Sequence, residues 1–118
     1  MQLTLEAVET AVAAVAAQGD FSRDAGTGYC LYRHPDGSRC FVGHLVPNDR
    51  YDPSMEGETF FQLAYTFKVW GEVDSNLAVL VSVLQNLHDN LVATHSDIDT
   101  WLPLATKRVN VYRPLLTQ

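Results

Sequence analysis

Five leucines, Leu77, Leu80, Leu84, Leu87 and Leu91, recur at alternating steps of three and four. Such steps return to one side of a 3.6-residue helix, so this stretch predicts an amphipathic helix starting at Asp74 or Ser75. So long an apolar stripe must be covered, and the rest of the chain supplies partners. Thr4 can cap a helix that runs to Gln18, with Gly19 as its stop and Leu5, Val8, Val12 and Val15 along one face. A second helix is predicted over 58–70, with Phe60, Leu63, Phe67 and Trp70 on one side and Gly71 ending it. Ser96-Asp97-Ile98-Asp99 reads as the start of a last helix holding Trp101, Leu104 and Ala105, where Pro103 is tolerable only in the first turn. Val109 to Tyr112 reads as either frayed helix or short strand.

Between the first two helices the pattern changes. His34-Pro35-Asp36-Gly37 suits a type I turn followed by a glycine at positive φ, which predicts a β-hairpin over 29–42. In that register Arg33 faces Arg39, Tyr32 faces Cys40 and Leu31 faces Phe41. One face carries Cys30, Tyr32, Cys40 and Val42, and the other Leu31, Arg33, Arg39 and Phe41. A long connection broken by Pro47 and Pro53 follows. The expected fold is therefore α+β: a single domain over 1–118, with about four helices packed around a short antiparallel hairpin.

The charge balance removes one class of function. Eight basic residues against fourteen acidic ones leave a net charge of −6, and a nonspecific nucleic-acid binder needs a basic stripe. The first helix has no basic start and is interrupted by Glu6 and Glu9, unlike a signal peptide, and no stretch approaches membrane-spanning length. Two cysteines in such a chain are expected as reduced thiols, and the expected location is cytoplasmic.

The block from Cys30 to Gly57, CLYRHPDGSRCFVGHLVPNDRYDPSMEG, is the expected site. Its residues admit three chemistries. Arg33 and Arg39, opposed on a firm hairpin, form a like-charge pair that calls for an anion or carboxylate between them. Arg23 and Arg50 in the adjoining loops are candidates to join them, with His44 and Tyr51 in the same binding surface. The plain alternative is internal pairing with Asp24, Asp49, Asp52 or Glu56. Cys30, Cys40, His44 and His88 form a candidate tetrahedral zinc set, although no Cys-x-x-Cys or His-x-x-x-His spacing supports it. Cys30 or Cys40 with His88 and Asp89 offers a thiol, a base and an orienter by composition. Adjacent helical residues point about 100° apart, however, so Asp89 is poorly placed to orient the His88 ring. Gln85, His88 and Asp89 make a polar ridge beside the leucines. The aromatics Phe60, Phe61, Tyr65, Phe67 and Trp70 are expected core, and any that stay exposed become a partner surface.

The pattern C-L-Y-R-x-x-D-G-x-R-C-x-V-G-x-L-V-P-N-x-x-Y-x-P-x-M-E-G, with L-Q-x-L-H-D downstream, resembles a group of short phage, prophage and bacterial proteins of unassigned activity. The likeness covers residues 29–57 and 84–89. Members of that group often carry a cysteine where this chain has His44. The resemblance implies a mobile-element setting and transfers no catalytic residues. Together these readings lead to an expected non-catalytic binding protein of anti-defence type, gripping a host or phage protein or a nucleotide, with homo-oligomers possible. The alternative is a small metal-dependent or thiol enzyme using Cys30, Cys40, His44 and His88.

Overall fold

The computed structural model describes residues 2–22 and 30–116. Its regular elements are helices: α1 (Leu5–Gln18), α2 (Phe60–Tyr65), α3 (Ser75–Ala93) and α4 (Trp101–Leu116), with 3₁₀ turns at Val42–His44, Pro53–Met55 and Ile98–Thr100. Thr4 Oγ1 accepts the Ala7 N–H at 3.1 Å, and Gly19 ends α1 at φ +84°. The Asp74 carboxylate caps α3 through the Leu77 N–H, at 3.0 Å. Helix α3 closes with His95 in the left-handed region, where the Ser96 N–H reaches back to the Leu91 carbonyl. Asp97 caps the 3₁₀ turn that leads into α4, so Pro103 sits in that helix's first turn and Val109 to Tyr112 is helical. No helix among the described residues is long and apolar enough to cross a membrane.

Helix α4 packs against both α1 and α3, while α2 covers α3. Trp101 is fully buried at this junction and donates its indole N–H to the Val12 carbonyl at 2.9 Å. The leucine stripe of α3 faces the core, with Leu77, Leu80, Leu84 and Leu91 buried and Leu87 at its margin. His88 is buried with the stripe.

Two expectations require correction. Helix α2 is much shorter than 58–70. It begins at a capping box between Thr59 and Gln62 and stops after Tyr65, because Lys68 turns left-handed at φ +53°. That turn swings Val69 and Trp70 into the core, where the Trp70 indole N–H reaches the Leu45 carbonyl at 3.0 Å.

The second correction is to the α+β class: no strand or sheet is present among the described residues, and the hairpin over 29–42 does not form. Tyr29 lies outside the described residues. The turn itself is present, with Gly37 at φ +94° and the His34 N–H bonded to the Ser38 carbonyl at 2.9 Å. Beyond it, one cross-arm backbone bond remains, from the Cys40 N–H to the Leu31 carbonyl at 3.1 Å, and side chains take the place of the others. The Glu56 carboxylate accepts the Tyr32 and Arg33 N–H groups at 2.8 and 3.1 Å. Opposite them, the Gln18 amide takes the Arg39 N–H at 2.8 Å and donates to the Arg39 carbonyl at 3.0 Å, as a neighbouring peptide would. Phe41 then adopts helical angles and leads into Val42–His44. Phe41 and Val42 are both buried, so the predicted alternation of faces is lost.

Candidate functional site

A cleft of about 1030 Å³ opens between residues 30–32, residues 56–61 and the C-terminal half of α3. Leu31, Phe60, Phe61 and Val92 give it apolar walls. Its polar lining includes Glu56, Glu58, Gln85, Asn86, Asp89 and Asn90, and no Lys or Arg lines it among the described residues. Phe61 is 41% exposed at the mouth and stacks on Tyr65, which is 60% exposed.

Cys30 and Asp89 line the cleft, and both approach His88, which is buried behind them. Cys30 Sγ lies 3.6 Å from His88 Nδ1, and Asp89 Oδ1 lies 3.5 Å from the same nitrogen. The His88 ring is held edge-to-face by Phe21 and Trp101, at centroid separations of 5.0 and 5.6 Å. Its Nε2 is buried without a hydrogen-bond partner among the described residues. Gln85 positions the carboxylate: its amide donates to Asp89 Oδ1 at 2.7 Å, while its Oε1 accepts the Val42 N–H at 3.0 Å. The Tyr32 hydroxyl donates to the Glu58 carbonyl, and burial raises its pKa well above the ordinary tyrosine value.

Of the four predicted metal ligands, Cys30 and His88 are brought together and the other two are not. Cys40 is buried, and burial pushes its thiol well above the ordinary cysteine range. His44 points elsewhere and donates from Nε2 to Gln18 Oε1 at 2.9 Å. Burial, then the charges of Arg39 and His88, lower its pKa to about 4. Cys30 and Cys40 are not joined by a disulfide, and Cys30 is only half-buried.

Arg33 and Arg39 each have internal partners. Arg33 donates to the Val46 carbonyl at 2.9 Å and its guanidinium lies over the Tyr51 ring, 4.6 Å from the centroid. Tyr51 in turn donates to Glu56 at 2.6 Å, so Arg33 and Tyr51 are parts of the internal scaffold. Burial and the charge of Arg39 both pull the Arg33 guanidinium below its usual pKa. Arg39 donates to Asn48 Oδ1 at 3.3 Å. Arg50 is exposed and borders a separate depression with Lys68 and Trp70. Arg23 lies outside the described residues.

In the sequence, Asp89 groups with Cys30 and His88 only as a catalytic orienter and stays out of the metal set, and Gln85 sits on the same ridge without a role. The i, i+4 spacing of Gln85 and Asp89 predicts their contact. The approach of Cys30 to His88 spans 58 positions and leaves no local trace. No protein-family model matches the chain, and neither a curated protein nor a solved structure matches it.

Proposed function

We propose that this chain is a non-catalytic binding protein whose cleft docks a segment of another protein, one carrying Lys or Arg beside an apolar side chain. The composition of the cleft supports this reading. Carboxylates from Glu56, Glu58 and Asp89 border apolar walls, and no described lining residue supplies a balancing cation. An anionic ligand such as a nucleotide would meet like charge there, whereas a basic segment gains complementarity and faster encounter. The exposed Phe61–Tyr65 stack offers an aromatic face to the same cation. The resemblance to phage and prophage proteins supplies an anti-defence setting for such a partner. Two unbridged cysteines suit a reducing, cytoplasmic location.

The test is a randomised peptide library selected on the immobilised full chain. Enriched sequences are expected to combine Lys or Arg with Leu, Phe or Trp, and their binding should weaken as salt rises. Asn86→Arg, a surface change in the cleft wall, should abolish the enrichment. Acidic winners, no winners, or winners indifferent to Asn86→Arg would sink the docking reading.

A further inference from the structure

At the wall of the cleft two lining residues, Cys30 and Asp89, and the buried His88 behind them bring three donors of different chemistry together. Cys30 Sγ, His88 Nδ1 and Asp89 Oδ1 all lie within 4.8 Å of one another. Two of the three separations are 3.6 Å from sulfur to nitrogen and 3.5 Å from nitrogen to oxygen. A tetrahedral zinc, with bonds of about 2.3 Å to sulfur and about 2.0–2.1 Å to nitrogen and oxygen, would place sulfur and nitrogen about 3.6 Å apart and nitrogen and oxygen about 3.4 Å apart. These spacings match the observed ones closely.

The competing reading is a catalytic thiol, and the ring orientation separates the two. A relay needs the nucleophile on one ring nitrogen and the orienting carboxylate on the other. Here Cys30 and Asp89 share Nδ1, while Nε2 is buried with no hydrogen-bond partner among the described residues. Two groups converging on one nitrogen describe ligands around an ion. With the Nδ1 lone pair given to a metal, the ring proton belongs on Nε2. Gln85 adds the outer support that metal carboxylates usually have, gripping Asp89 while the Val42 backbone fixes its amide. Thiolate and imidazole donors select a borderline transition ion over calcium or magnesium.

We propose that Cys30, His88 and Asp89 bind a divalent transition ion of the zinc class, leaving the fourth coordination position toward the cleft. The site shares Asp89 with the docking reading but needs no peptide, so a titration with metal alone tests it separately. Cobalt(II) is the probe, titrated into the reduced, metal-stripped full chain. One equivalent should produce a thiolate-to-cobalt charge-transfer band and tetrahedral d–d absorption, both displaced by zinc. Cys30→Ser should remove the charge-transfer band, and Asp89→Asn should weaken cobalt binding by about 10-fold or more. Cys40→Ala should leave the band in place, because Cys40 stands outside the cluster. Circular dichroism of each variant establishes that it is folded, and the half-exposed Asp89 provides the change least disturbing to the core. The proposal is overturned by a wild-type chain that gives no such band, by a band that survives Cys30→Ser, or by Asp89→Asn binding cobalt as tightly as wild type.

Discussion

A Cβ placed on Gly43 would sit 2.0 Å from the Tyr32 carbonyl oxygen and 2.8 Å from its carbonyl carbon. Backbone meets backbone there, so no side-chain rotation can relieve the clash. Gly43→Ala should therefore destabilise the protein by about 2 kcal/mol or more, read as a lower urea midpoint. An unchanged midpoint would show that residues 30–32 can draw back without cost. His44 gives a different kind of test. Its folded pKa of about 4 lies below its ordinary value of 6.5, so the unfolded chain binds more protons between these limits. The stability His44 contributes is complete above about pH 6.5 and is lost as pH falls toward about 4. Denaturant midpoints should fall across that window, and less so in His44→Gln. An identical slope in the variant would assign the acid sensitivity to other groups.

The segment from Cys30 to Met55 is held as an element by side chains from elsewhere in the chain. Glu56 is the central one, accepting two consecutive backbone N–H groups and the Tyr51 hydroxyl. Glu56→Ala leaves those donors without their acceptor and should cost about 2–3 kcal/mol. Amide exchange at Tyr32 and Arg33 should accelerate beyond the change in global stability. Unchanged protection at those two amides would mean that other acceptors had replaced the carboxylate. This element also marks where sequence reading succeeds and where it stops. The turn at Gly37, the caps at Thr4 and Asp74 and the buried face of α3 depend on residues within a few positions of one another, and local patterns report them well. Whether two arms of a turn form a ladder depends on what else competes for their N–H groups. Here the competitors, Gln18 and Glu56, lie outside the arms, and nothing between 30 and 42 announces them. The Cys30–His88 approach was hidden for the same reason, whereas the two residues themselves stood out by type.

At the scale of the whole molecule, α4 is the element on which α1 and α3 both rest. Its buried side is narrow, comprising Trp101, Ala105 and Val109, so one residue dominates the junction. Trp101→Ala should cost about 3–5 kcal/mol, a large part of the roughly 5–15 kcal/mol typical of a domain. Thermal unfolding by circular dichroism should show a depressed or vanished transition. Trp101→Phe keeps most of the volume and loses the indole N–H, so it should retain a cooperative transition at lower temperature. Equal damage from both would shift the weight from packing to the bond with Val12. That bond joins positions 89 apart in sequence, and this has a consequence for synthesis. Until α4 has been made, α1 and α3 have nothing to close over them, and their apolar faces stay open to chaperones and proteases. At about 5–20 residues per second, the 16 residues of α4 take on the order of a second or more to add. A message cut short before Trp101 would thus yield a chain whose α1 and α3 keep those faces uncovered.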